Sequence, residues 1–252
     1  MEINPQQEAD KIIKFIQSTF KQQGFKKGII AVSGGLDSAL SLILASKALS
    51  PENIYTLQLP FTDQSVEDSD LIIQTAKIPQ TNRLVFNIKN SVNVLAKELN
   101  NKPAKVRLGN IIARLRMIHL FDQAKKLKTL VIGTENKSEQ VLGYYTRFGD
   151  SASDIEPISH LYKIQLYQLA KHLQIPENII KKSPSAGLWL NQTDEQELGF
   201  SYQQADPVLS LLIDKKLPQS EVVAKGFSKQ LVAQIANRLS AIDFKTKVPY
   251  HL

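Results

Sequence analysis

Residues 28–40 read Gly-Ile-Ile-Ala-Val-Ser-Gly-Gly-Leu-Asp-Ser-Ala-Leu, and this run constrains the fold more than any other part of the chain. The apolar, β-branched stretch 28–32 predicts a buried strand. It stops at Ser33-Gly34-Gly35, and Leu40, Leu42, Ile43, Leu44 and Leu49 then open a helical pattern. Strand, tight loop and helix in that order form the local architecture that holds phosphates in α/β proteins. Gly34 and Gly35 remove Cβ atoms where backbone N–H groups must approach an anion, and they permit positive φ. The helix turns its unpaired N–H groups and positive dipole end toward that anion. Ser33 and Ser38 add hydroxyl donors, and Asp37 offers a carboxylate to the Mg²⁺ that accompanies a polyphosphate. The spacing is neither G-x-x-x-x-G-K-[ST] nor G-x-G-x-x-G, so neither a Walker loop nor a dinucleotide fingerprint is expected. A Ser/Gly-rich turn that only caps a helix is the plainer alternative. The acid, both serines and the strand before them together favour an ATP loop.

Further strands are predicted at 54–59, 84–88 and 129–132. Helical patterns separate them, which implies crossover connections, a parallel sheet and helices on both faces. Ligands of such sheets bind at the carboxyl ends of the strands. A helix opens the chain on Ile12, Ile13, Phe15, Ile16 and Phe20. A longer one is expected from Lys105 to Lys128, with Leu108, Ile111, Ile112 and Leu115 on its core face. Arg114 lies beside that apolar seam, whereas Arg116 projects about 200° around the helix from it, so Arg114 is expected to reach into the cleft. The last third is helical throughout. Thr193 to Gln196 reads as a capping box, and the segment before it, with Pro184 and Gly187, is expected to be a surface loop able to close over substrate. No repeat or linker divides the chain, so residues 1–252 are expected to form one domain.

Composition removes several classes of chemistry. The chain has no cysteine, which excludes disulfides, thiolate zinc sites and cysteine nucleophiles and suits a reducing compartment. No leader and no bilayer-length apolar run is visible, so a cytoplasmic protein without a membrane partner is expected. The net charge of +7 comes from scattered lysine pairs rather than a basic stripe, and no nucleic-acid module is recognisable. Acidic small substrates account for the excess equally well. His119, His160, His172 and His251 form no close pair or HExxH, so they read as structural or surface histidines.

Two later segments carry chemistry. In Gly133-Thr134-Glu135-Asn136-Lys137-Ser138-Glu139, Thr134 is expected to cap a helix and to set Glu135 and Glu139 one turn apart. A carboxylate there, at the carboxyl edge of the sheet, would complete the Mg²⁺ site begun by Asp37. A cap followed by two solvated glutamates is the alternative. Residues 143–154 then place Tyr144, Tyr145, Arg147, Asp150 and Asp154 in a glycine-containing stretch. Either tyrosine could stack on a heteroaromatic ring, and Arg147 could pair with a carboxylate or phosphate. An irregular loop packed on the sheet edge is equally compatible with that segment alone.

The SGGxDS loop resembles that of the N-type ATP pyrophosphatases. Residues 109–117 (Gly-Asn-Ile-Ile-Ala-Arg-Leu-Arg-Met), GTENKSE, GYYTRFGD, Lys163, Pro184-Ser185-Ala186-Gly187-Leu188 and TDEQELG follow in order. Together they resemble the ammonia-dependent NAD synthetases over nearly the whole chain. The resemblance implies a Rossmann-like, adenine nucleotide alpha hydrolase-like α/β fold with a helical C-terminal third. It also implies a homodimer with the dinucleotide site at its interface. The implied reaction is amidation of deamido-NAD to NAD⁺ by ammonia, with ATP and Mg²⁺. By motif, Ser33, Gly34, Gly35, Asp37, Ser38, Thr134, Lys163 and Ser185 take ATP-binding positions. Asp37 and Glu139 take the metal positions, and these two with Lys163 the catalytic ones. Arg114, Arg147, Asp154 and Lys245 take positions for deamido-NAD. The chain departs from the family pattern at Arg147-Phe148-Gly149-Asp150-Ser151, where Lys-Tyr-Gly-Asp-Gly is usual, and around Lys245, where a Lys-Arg pair is common.

Other readings are a tRNA-modifying pyrophosphatase of the same superfamily and a nucleotide sensor without catalysis. The first is disfavoured by the missing RNA module, and its persulfide-using branch by the missing cysteine. The second is disfavoured by Asp37 and Glu139. Glutamine-dependent relatives carry an added amidase domain with a catalytic cysteine, so free ammonia is the expected nitrogen donor.

Overall fold

The computed structural model describes residues 1–61, 66–99, 104–189, 191–246 and 250. Strands β1 (Gly28–Ala31), β2 (Ile54–Gln58), β3 (Arg83–Val85) and β4 (Leu130–Val131) form a four-stranded parallel sheet in the order β3-β2-β1-β4. A parallel bridge from Ile132 to Ile155 extends its β4 edge. The predicted strands are all present, each shorter than expected.

Alternation along β1 divides the core. Ile30 packs with Ile12, Ile16 and Phe20 of α1 (Pro5–Gln23), with Leu40 and Leu44 of α2 (Leu36–Leu49), and with Leu166 and Leu169 of α7 (Lys163–His172). Ile29 faces the other side, with Val92 of α4 (Lys89–Glu98) and Ile112 and Leu120 of α5 (Lys105–Leu127). A period of two in the strand thus feeds two helical layers, each with a period near 3.6. Helix α3 (Glu67–Thr75) joins the first layer through Ile72 and Ile73. In α1 the buried stripe is Ala9, Ile12, Ile16 and Phe20, whereas Phe15 is 44% exposed. It lies on the flank of that stripe. Asn4 caps α1 and Gly24 ends it with φ of 72°.

The C-terminal helices form a third cluster. Ala205, Val208 and Leu209 of α10 (Tyr202–Leu209), Val222 of α11 (Gln219–Ala224), and Val232 and Ile235 of α12 (Lys229–Thr246) enclose Leu142 of α6 (Lys137–Leu142). Short helices α8 (Glu177–Lys181) and α9 (Asp194–Leu198) flank the segment 183–193. No described helix is long and apolar enough to cross a membrane.

Candidate active site

The loop after β1 is built as its sequence requires. Gly34 has φ of 77°, and a Cβ there would lie 2.8 Å from Asp68 Cβ and 2.9 Å from the Ser69 nitrogen at the head of α3. Glycine therefore serves both the left-handed turn and the close approach of α3. Ser38 ties the loop together: its Oγ donates to the Gly35 carbonyl (3.0 Å) and accepts from the Ser33 N–H (3.3 Å). The two serine hydroxyls lie 3.1 Å apart. Gly35 is the N-cap residue of α2 and offers no side chain, so the helix N-terminus faces the loop without a capping oxygen. Gly34→Ala is expected to destabilise the fold by at least about 1–2 kcal/mol from the left-handed backbone alone. Its weakened ATP binding, measured by calorimetry beside a melting curve, checks the loop's role; unchanged ATP affinity would count against it.

Beyond that loop lies a buried ion triad. Lys163, the first residue of α7 and 2% exposed, places Nζ 2.5 Å from Asp37 Oδ2 and 3.1 Å from Glu139 Oε1. These three residues come from α2, α6 and α7, which places Asp37 and Lys163 126 positions apart in sequence. The aromatic face of Tyr202 lies 5.5 Å from the ammonium, and the Tyr202 hydroxyl donates to Asp194 (3.1 Å). Burial alone would push the lysine down, but Asp37 and Glu139, with Asp194 beyond them, hold it above its ordinary range, so it stays charged. Glu139 is pushed up to about 8, first by burial and then by the like charges of Asp37 and Asp194, against the pull of Lys163.

The backbone around the triad is tied by side chains. The Lys163 N–H donates to Ser138 Oγ (2.8 Å), the Ile164 N–H to Asp206 (2.9 Å), and the Ser138 hydroxyl to Asp206 (2.6 Å). Donors at the head of α7 that the helix itself cannot satisfy are met in this way by α6 and α10. Helix α6 is capped by Asn136, not by Thr134 as the sequence suggested: its Oδ1 accepts from the Glu139 N–H. Glu135 consequently lies before the helix, and Thr134 stands in the connection between β4 and α6.

Asp37 and Glu139 converge on one cationic nitrogen, so their oxygens lie within reach of a single ion. Hard carboxylate donors of this kind suit Mg²⁺, which takes one or two carboxylates and completes its shell with phosphate and water. Among the described residues no group of three or more His, Cys, Asp or Glu is placed to hold a metal.

A second group of expected residues gathers on the loop 143–151. Lys245 Nζ donates to the Gly143 and Tyr145 carbonyls, each at 2.6 Å, and lies 4.6 Å from the Tyr145 ring. The Tyr145 hydroxyl returns a bond to the Lys245 carbonyl (3.0 Å). Arg114 Nε donates to the Arg147 carbonyl (3.3 Å), and the Arg147 guanidinium stacks 5.2 Å from Phe244. Thr146 donates to Asn110 (2.9 Å), so α5 carries this loop. Asp154 accepts the Val131 N–H (2.7 Å) at the end of β4. Tyr144 instead packs into the C-terminal cluster with its hydroxyl buried, which leaves Tyr145 as the tyrosine facing the loop cations. The two arginines of α5 differ in burial. Arg114 is exposed, while Arg116 is partly buried and donates to the Leu59 carbonyl (3.2 Å) beyond the end of β2. Burial lowers the pKa of Arg116 and Asp150 opposes that effect.

Ser185 is exposed and accepts from the Gly187 N–H (3.1 Å) in the stretch before α9. That segment is seated on α5: a Cβ on Gly109 would lie 2.9 Å from Leu188 Cδ1 and 3.3 Å from Trp189 Cζ3. Gln192 fixes its shape by accepting from the Leu188 N–H and donating to Glu197, each at 2.8 Å. Thr193 caps α9 as expected, by accepting from the Gln196 N–H (3.4 Å).

Beside the loop lie two carboxyls, Glu135 and Glu156, whose pairing no sequence spacing indicates. Glu156 accepts from the Glu135 N–H (3.0 Å) and the Ser153 hydroxyl (2.7 Å), in space that any Cβ on Gly133 would occupy. Burial, then Asp150 and Glu156, push Glu135 up to about 9; burial pushes Glu156 up to about 7. Both start from 4.5 in the unfolded chain, so the folded state keeps protons that the unfolded one releases. Stability contributed here is therefore fully present below about pH 4.5 and is lost as pH rises through 7 and 9. Urea titrations at pH 5 and pH 9 are expected to show a loss of about 1–3 kcal/mol that Glu135→Gln/Glu156→Gln removes. An unaltered pH slope in the double variant would refute the assignment.

A glycine loop at the carboxyl edge of a parallel sheet ordered β3-β2-β1-β4 defines the Rossmann-like, adenine nucleotide alpha hydrolase-like class. Residues 8–249 match the NAD synthase family, and the chain belongs to it. It is 38% identical over 99% of its length to an NH(3)-dependent NAD(+) synthetase of Fusobacterium nucleatum, covering 96% of that protein. It superposes with a TM-score of 0.85 on the NH3-dependent NAD synthetase of Campylobacter jejuni, at 32% identity and covering all of both chains. An NMN synthetase of Francisella tularensis matches at a TM-score of 0.86 and 30% identity, over 100% of this chain and 99% of that one.

Proposed function

We propose that this chain, as one domain, amidates deamido-NAD to NAD⁺ with ammonia at the expense of ATP in the cytoplasm. The observation that carries the reading is the buried Lys163 held between Asp37 and Glu139 beside a glycine loop, in a chain of the NAD synthase family. A carboxylate resists amidation because oxide is a poor leaving group. An oxygen of the nicotinate carboxylate bonds to the α-phosphorus of ATP, the bond from that phosphorus to the bridging oxygen breaks, and pyrophosphate departs. Ammonia then bonds to the carboxyl carbon, AMP leaves with the former carboxylate oxygen, and the nitrogen loses a proton.

This chemistry calls for charge neutralisation and alignment rather than a protein nucleophile. The N–H groups of Gly34, Gly35 and the first turn of α2, with the Ser33 and Ser38 hydroxyls, receive the departing pyrophosphate. Lys163 supplies a fixed positive charge, while Thr134 and Ser185 flank the nucleotide. Asp37 and Glu139 would hold Mg²⁺, which supplies Lewis-acid neutralisation of the phosphate oxygens when bound. Arg114, Arg147, Asp154 and Lys245 orient the dinucleotide. The exposed position of Arg114 suits a site completed by a second copy of the chain in a homodimer.

Incubation with ATP, Mg²⁺, ammonium and deamido-NAD, followed by alcohol dehydrogenase coupling, is expected to yield NAD⁺ only when all four are present. Pyrophosphate release without NAD⁺ would overturn the acceptor assignment. Nicotinate mononucleotide presents the same carboxylate, and the likeness to the Francisella protein makes it the acceptor to run in parallel.

A further inference from the structure

Asn136 uses both ends of its side chain, and it has no solvent exposure at all. Its Oδ1 accepts from the Glu139 N–H (3.0 Å), and its Nδ2 donates to Asp37 Oδ1 (3.0 Å), 99 residues away in sequence. The reverse amide orientation would set NH₂ against N–H and a carbonyl against a carboxylate, so chemistry fixes this one. Lys163 takes the other oxygen of Asp37. The Asp37 carboxylate is thereby oriented by two donors. The helix carrying Glu139 is capped by the same group that orients Asp37. Capping alone explains neither the burial nor the second bond, since Ser, Thr or Asp caps as well as Asn. Aspartate would set a carboxylate against Asp37, and serine or threonine is too short to cap Glu139 and donate to Asp37 together.

We propose that Asn136 is a positioning residue that fixes the spacing of Asp37 and Glu139 for the divalent ion. This rests on the reading that those two carboxylates hold Mg²⁺. Outer partners of metal ligands lower metal affinity about 10–100-fold when removed. The test compares Asn136→Ser, which keeps the cap acceptor and loses the donor, with Asn136→Ala, which loses both. Mn²⁺ binding is followed by electron paramagnetic resonance in the presence of a non-hydrolysable ATP analogue. Melting curves, and the Mg²⁺ half-saturation and KM for deamido-NAD of the active enzyme, accompany it.

Asn136→Ser is expected to melt below the wild type but above Asn136→Ala, to bind Mn²⁺ about tenfold or more weaker, and to raise the Mg²⁺ requirement in step. Its KM for deamido-NAD stays unchanged. Asn136→Ala adds a further fall in melting temperature. Wild-type Mn²⁺ affinity in Asn136→Ser overturns the proposal, as does a loss that merely follows melting temperature across both variants. Asn136→Thr repeats the test if the serine variant does not fold. Asp37→Asn is measured alongside. If it too binds Mn²⁺ normally, the metal reading itself fails; if it alone loses binding, only the positioning role fails.

Discussion

Exchange of Lys163 for methionine is expected to cost the protein about 3–5 kcal/mol of stability, together with at least ~10²-fold in NAD⁺ formation. The side chain is 3% exposed and neutralises carboxylates from α2 and α6 at 2.5 and 3.1 Å. Without it Asp37 and Glu139 face one another, and the N-terminus of α7 loses the ion pairs that tie it to two other helices. Both carboxylates keep a window on solvent, and Glu139 is already pushed up to about 8, so it relieves part of the repulsion by taking a proton. The lower end of the range is therefore expected. Urea denaturation beside single-turnover kinetics measures both losses. A variant with native stability and turnover within a few-fold of the wild type would remove Lys163 from the centre of the site.

Asp37→Ala separates activity from stability. Turnover is expected to fall by about 10²–10³-fold, the effect of removing one main electrostatic group, and its Mg²⁺ dependence to flatten. Lys163 keeps its bond to Glu139, so no buried cation is abandoned. The structural cost is the orphaned amide of Asn136, about 1–3 kcal/mol, less than that of the lysine exchange. Near-normal turnover in a folded Asp37→Ala protein would exclude the proposed metal and pyrophosphate role.

What the sequence made legible was local. Residues 28–38 declare strand, loop and helix because each step depends on neighbours: β-branched residues, then glycines, then a helical period. The helix α5 was readable from end to end for the same reason. The wheel also sets Arg114 apart from Arg116, and Arg114 meets the Arg147 carbonyl; the cover over Arg116 was not legible, because it comes from the chain leaving β2, 57 residues distant. Lys245 meets the loop across 100 residues, a contact no spacing rule contains. Tyr144 and Tyr145 are adjacent, and only the packing of the C-terminal helices separates them into a core residue and a loop residue. The cap of α6 was recoverable: Asn136-x-x-Glu139 is an N-cap signature as good as the threonine two residues earlier, and the acid at its third helical position completes the pattern. Its bond to Asp37 was not, because that requires β1 and β4 side by side.

The 23-residue helix α5 touches both the segment around Leu188 and the loop at 146–149. Gly109 seats Leu188 and Trp189, while Asn110, Ala113 and Arg114 support the loop at 146–149. One helix thus bears both contacts less than two turns apart, so a side chain added at Gly109 would have to move Leu188 and Trp189 or shift the stretch of α5 that also holds the 146–149 loop.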